Sequence, residues 1–135
     1  MRFVDTNVLL YSVSTHPDEY AKAAIAQELL DEEDLCLSVQ ILQEFYVQAT
    51  RTSRIGALSH ADAAAFIEKW LRFPAQEMTI ALMQAAFAAN ARWQLSSWDA
   101  AVVEAARILG CSEILSEDLS AGQDYGGIRV TNPFA

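Results

Sequence analysis

This sequence is poor in the residues that mark many other kinds of protein. It has two cysteines, two histidines, three prolines and five glycines in 135 residues. Cys36 and Cys111 lack a histidine or a further cysteine at metal spacing, so a zinc site or disulfide framework is not expected and both read as reduced core residues. His16 and His60 stand alone, and a catalytic histidine is not expected. Lysine is absent after Lys69. No apolar run reaches the roughly 18 residues a bilayer crossing needs; Thr79 to Ala91 comes nearest and is interrupted by Gln84 and Asn90. No cationic region opens the chain, so the expectation is a mature start without a secretory signal, in the cytoplasm and away from membranes.

Positive charge is scarce as well. Nine basic residues face eighteen acidic ones, giving a net charge of −9 and a pI near 4.5. That balance argues against a broad basic face for nucleic acid. It leaves room for a nucleic-acid enzyme, because bound cations locally reverse the charge that a phosphate meets. The same charge suits a cationic protein partner. Hydrophobic residues make up 53% and charged residues 20% of the chain, which is the composition of a folded domain. The length predicts one domain, 1–135, with a full hydrophobic core.

Along the chain, short apolar strands alternate with helices. Arg2-Phe3-Val4 starts a strand, and Asn7 to Ser14 can cap and form a short helix that His16-Pro17 breaks. Pro17, followed by Asp18 and Glu19, opens a second helix to about Asp31. Leu35 to Ser38 is a buried strand. Ser38 then caps a helix from Val39 to about Thr52, on which Gln40, Glu44 and Arg51 share one face. Ser59 caps a helix ending near Arg72, before Pro74. Gln76 to Met78 is a candidate strand, and Thr79 caps the helix Ile80 to Trp93. Ser96 and Ser97 begin another helix that Gly110 ends. Ser112 to Ser116 and Ile128 to Thr131 close the chain as strands. The alternation argues an α/β fold with a parallel sheet covered on both faces.

Four acids stand out by position, and each has a plain alternative. Asp5 lies at the carboxyl end of the first strand, where open α/β sheets bind ligands, or it is merely a helix cap. Glu44 lies on the polar stripe of a greasy helix, or is a good helix former on a wet surface. Asp99 sits in the first turn of a helix, where an acid also suits the dipole. Glu117 and Asp118 follow a strand end, or form a solvated turn. Glu104 is expected to be exposed. Several carboxylates in one crevice raise each other's pKa, and a hard cation such as Mg²⁺ or Mn²⁺ resolves the repulsion. In-line attack on a phosphodiester by metal-activated water would follow.

The chain resembles the PIN-domain family, in particular its VapC-type toxin ribonucleases. Four stretches carry the resemblance: Phe3-Val4-Asp5-Thr6-Asn7-Val8-Leu9-Leu10-Tyr11, Leu37 through Phe45, Ser97-Trp98-Asp99-Ala100-Ala101, and Leu115-Ser116-Glu117-Asp118-Leu119. The closing Gly127 to Phe134 looks like that family's last strand. The resemblance implies an α/β/α fold with a parallel sheet of about five strands in the order 3-2-1-4-5. It also implies metal-dependent endoribonuclease activity, homodimers and inhibition by a cognate VapB-like antitoxin. Asp5, Glu44 and Asp99 fall on the family's three core acids, and Asp118 on the fourth, with Glu117 one register step away. Thr6 and Ser116 would support the acids through hydrogen bonds. Arg51, two turns beyond Glu44, is a candidate phosphate contact that the family does not supply.

Other readings are weaker. A phosphoaspartate enzyme of the haloacid dehalogenase type needs a second aspartate where Asn7 stands and a lysine in the second half. A response-regulator receiver fails on the same lysine. A PIN-like module that binds RNA or protein without catalysis remains the alternative.

Overall fold

The computed structural model describes all of Met1–Ala135. Five strands form one parallel sheet: β1 (Arg2–Val4), β2 (Leu35–Ser38), β3 (Ala75–Gln76), β4 (Glu113–Leu115) and β5 (Arg129–Thr131), in the spatial order β3-β2-β1-β4-β5. Six helices cover it: α1 (Thr6–Ser12), α2 (Tyr20–Leu30), α3 (Val39–Ala49), α4 (His60–Trp70), α5 (Ile80–Trp93) and α6 (Ser97–Ile108). This is the expected α/β/α fold with the expected strand order.

The strands are short, and their apolar residues are almost wholly buried because helices lie on both faces. Phe3 pairs with Cys36 on one side and Ile114 on the other, and Ile114 pairs with Val130. All four residues belong to the main core. Helix α3 adds Ile41 and Phe45, both fully buried, and Phe45 meets Trp70 of α4 edge to face at 4.8 Å. No helix is long and apolar enough to cross a membrane.

Helix starts follow the capping chemistry. The Ser38, Ser59, Thr79 and Ser96 hydroxyls each accept a backbone N–H from the first turn of α3, α4, α5 and α6, at 3.1–3.3 Å. At the other end of α6, Gly110 takes φ +79° and Cys111 N donates to Ala106 O, closing the helix as expected.

Several local expectations are corrected. Helix α1 is capped by Asp5, two residues before Asn7, and ends at Ser12 rather than Ser14. Pro17 opens only a single tight turn, Pro17–Glu19, and α2 starts at Tyr20. The His16 ring nitrogen accepts Asp18 N at 3.0 Å and caps the start of that turn, and Tyr20 N closes its other end on Pro17 O. Strand β3 comes earlier and is shorter than expected, because Leu37 N bonds to Pro74 O and sets the pairing from there. Glu104 is mostly covered, since Arg107 one turn on lies against its carboxylate at 3.1 Å. Cys36 and Cys111 are free and buried, as expected. The Cys36 thiol donates to Arg2 O at 3.7 Å, across the β1–β2 pair.

Candidate active site

The chain builds β2 and β3 on one side of β1, then returns to place β4 and β5 on the other. The crevice beyond the carboxyl ends of β1 and β4 is therefore the switch point at which open α/β sheets bind ligands. Asp5 directly follows β1, and Ser116-Glu117-Asp118 directly follow β4. Asp5 N donates to Leu115 O at 3.1 Å, which locks the two strand ends together.

Asp5 is 7% exposed. Its Oδ1 accepts Thr6 N at 2.8 Å, and its Oδ2 accepts the Ser116 hydroxyl at 2.6 Å. Burial pushes its pKa up to about 6 against those hydrogen bonds, and the charges of Asp118 and Asp99 push the same way as burial. The carboxyl is thus both a helix cap and a strained anion.

Ser116, fully buried, is the hub of the crevice. While donating to Asp5 it accepts Asp118 N and Leu119 N, each at 3.1 Å, and Asn7 Nδ2 at 3.3 Å. The turn after β4 is thereby wound around a single oxygen. Asn7 closes the other side, its Oδ1 accepting Glu117 N at 3.2 Å.

Glu44 enters from α3, which Ser38 starts at the end of β2. Its Oε2 accepts the Thr6 hydroxyl at 2.8 Å and its Oε1 accepts Gln40 Nε2 at 3.1 Å. The same Gln40 amide reaches Trp98 O at 3.3 Å, tying α3 to the start of α6. Asp99 follows on that first turn. Partial burial raises its pKa, Ser96 opposes, and the charges of Asp118 and Glu44 add to the rise.

Asp5, Glu44, Asp99 and Asp118 therefore form one electrostatically coupled group. None of the four pairs with a lysine, arginine or histidine. Anionic oxygen donors without a countercharge fit a hard divalent cation. No three of the acids come close enough to ligate a bare ion directly; an ion held among them would have to keep several waters, as Mg²⁺ does.

Glu117 takes a different direction. Its Oε1 accepts the Tyr11 hydroxyl at 2.6 Å and its Oε2 the Lys22 ammonium at 2.7 Å. The Lys22 hydrogen bond, with that of Tyr11, holds its pKa below the ordinary value. Arg51 lines an open groove with Gln40, Glu44 and Trp98, so the shared helical face is real. Gln40, however, is buried rather than solvated.

Sequence reasoning missed Asn7 as a bridge, Gln40 as the partner of Glu44, and Tyr11 and Lys22 as the partners of Glu117. Gln40 had a signal, lying one turn before Glu44. Lys22 had none, being 95 residues from its partner.

Strand order, switch point and acid group define an α/β domain of the nuclease-like PIN architecture. The PIN domain family model matches residues 2–121, and the chain belongs to that family. No curated protein sequence matches it significantly. Among solved structures it is similar to VapC20 of Mycobacterium tuberculosis, a sarcin-ricin loop cleaving toxin, with 20% identity, a TM-score of 0.69, and 87% of this chain and 90% of that one covered. A toxin–antitoxin complex from Klebsiella pneumoniae matches at 17% identity and TM-score 0.68, covering 98% of both chains. DNA-bound VapBC from Salmonella typhimurium matches at 16% identity and TM-score 0.67, covering 98% and 97%.

Proposed function

We propose that this PIN domain is a Mg²⁺- or Mn²⁺-dependent endoribonuclease, the toxin of a VapBC-type toxin–antitoxin pair. The observation that carries the reading is the coupled group of four carboxylates at the switch point with no protein cation among them. Asp5, Glu44, Asp99 and Asp118 would hold the metal. When bound, a divalent ion supplies charge stabilisation to the phosphate and lowers the pKa of an attacking water. Thr6 and Ser116 hold Glu44 and Asp5 in fixed orientations, so little reorganisation is needed as charge develops. Glu117 supports the turn that carries Asp118 by anchoring it to α1 and α2, and Arg51 offers a cation to the RNA backbone. A small VapB-like antitoxin with cationic segments suits the acidic surface, and a homodimer is the expected assembly in the cytoplasm.

The test is incubation of the protein with total RNA and Mn²⁺, beside Asp5→Asn. Cleavage by the wild type alone, abolished by EDTA, is the expected outcome. Equal cleavage by both proteins would overturn the assignment. Binding of RNA without cleavage by either would favour the non-catalytic module instead.

A further inference from the structure

The groove in which Arg51 lies is more than a phosphate contact. It measures about 470 Å³ and runs from Glu44 along α3, with the start of α6 as its other wall. Its most prominent wall residue is Trp98, which precedes Asp99 and is 67% exposed. An indole left this open next to a polar crevice gains little from burial, yet its backbone carbonyl is held by Gln40 at 3.3 Å. Opposite stand Gln43, Gln48 and Arg51, whose side chains have no hydrogen-bond or ion-pair partner within the chain and face solvent.

We propose that this groove is a nucleobase subsite, in which an unpaired base next to the scissile phosphate stacks on Trp98. This rests on the ribonuclease reading for its substrate, and it assigns a part of the chain that the acids do not use. Three observations favour an RNA nucleotide as occupant. The groove adjoins the acid group at Glu44, so a strand whose phosphate sits at the acids has an open path along it. The Gln43 and Gln48 amides carry both donors and acceptors, which is the equipment for a base edge. Arg51 supplies a guanidinium for the following phosphate, beside an aromatic face that accepts any base.

The experiment reads binding without turnover, in Mg²⁺ and in an Asp118→Asn background. Two fluorescently labelled probes are used: a mixed-sequence single-stranded RNA twelve-mer, and the same backbone with abasic positions. Trp98→Ala is expected to weaken binding of the base-bearing probe by about 10- to 100-fold and to leave the abasic probe unaffected. Trp98→Phe should recover most of the loss, because it restores a stacking face. Arg51→Ala should weaken both probes alike. Trp98 is exposed, so these variants fold, and a circular dichroism melt confirms it. Unchanged binding of the base-bearing RNA by Trp98→Ala overturns the subsite, as does an equal loss for the abasic probe. Protection of Trp98 by a cognate antitoxin, with RNA binding indifferent to the residue, would make the groove a protein-docking site and also overturn it. If RNA cleavage fails in the wild type while these binding differences hold, the subsite stands and the catalytic reading falls.

Discussion

Replacing Asp5 with asparagine removes a charge that the folded state holds at a cost. The folded pKa is about 6, against an ordinary value of 3.8. That gap of about 2 pKa units corresponds to about 3 kcal/mol, at roughly 1.4 kcal/mol per unit. The folded state binds the proton more tightly than the unfolded state. Stability in metal-free buffer therefore falls as pH rises from about 4 to about 6, and is flat beyond. Asparagine keeps the acceptor for Thr6 N. It also brings an amide toward Asn7 Nδ2, which lies 3.5 Å from Asp5 Oδ2, and requires the Ser116 hydroxyl to reverse. Those losses offset about 1 kcal/mol. The net gain at pH 7.5 in EDTA is about 2 kcal/mol, a rise in Tm of roughly 7 °C for a chain of this length. At pH 4.5 the difference should vanish or reverse, because wild-type Asp5 is then largely protonated. Mn²⁺ should raise the wild-type Tm, since a ligand of the folded state stabilises it, and should move the variant much less. Differential scanning fluorimetry across pH, with and without metal, reads all of this. Equal melting of the two proteins at pH 7.5 in EDTA, or a gap that does not change with pH, would refute the reasoning.

Two further perturbations test the frame around the acids. Glu117→Gln loses the Lys22 ion pair, which is partly exposed and contributes at most about 1 kcal/mol. Nuclease activity should nonetheless fall, because the turn carrying Asp118 loses its tether to α1 and α2. The lowered Glu117 pKa means that this contribution is present above the unfolded value of 4.5 and is lost as pH falls through the lower folded value; a wild-type-minus-variant stability difference that grew on acidification would contradict it. Phe45→Ala empties a fully buried site against Trp70 and should cost about 3–5 kcal/mol in urea unfolding. A loss below about 1 kcal/mol would show that α3 and α4 do not share the core described.

Much of the fold can be read from the chain itself, because its signals are local. Ser38, Ser59, Thr79 and Ser96 announce helix starts through their own hydroxyls, and Gly110 announces a helix end through its backbone. The buried run Leu35-Cys36-Leu37 announces a strand covered on both faces. These are interactions over a few residues, and they survive as read. The failures are local too: Pro17 and His16 form a separate tight turn, and Asp5 takes the capping role expected of Asn7.

The candidate site divides differently. Sequence by itself determined that Asp5 and Asp118 end strands and that Glu44 and Asp99 sit early or midway in helices, since element type and order follow from short-range propensity. It left open whether those acids meet, and which of Glu117 and Asp118 faces them. Both depend on contacts between residues tens of positions apart: the charges of Asp118 and Asp99 act on Asp5, and Glu117 pairs with Tyr11 and Lys22 instead. Ser116 binds Asp5 only because β4 lies beside β1, and Glu117 turns away only because Lys22 and Tyr11 wait on α2 and α1. The strain on Asp5 is likewise a tertiary property. It arises from burial at the switch point of the sheet and from two like charges carried there by β4 and α6.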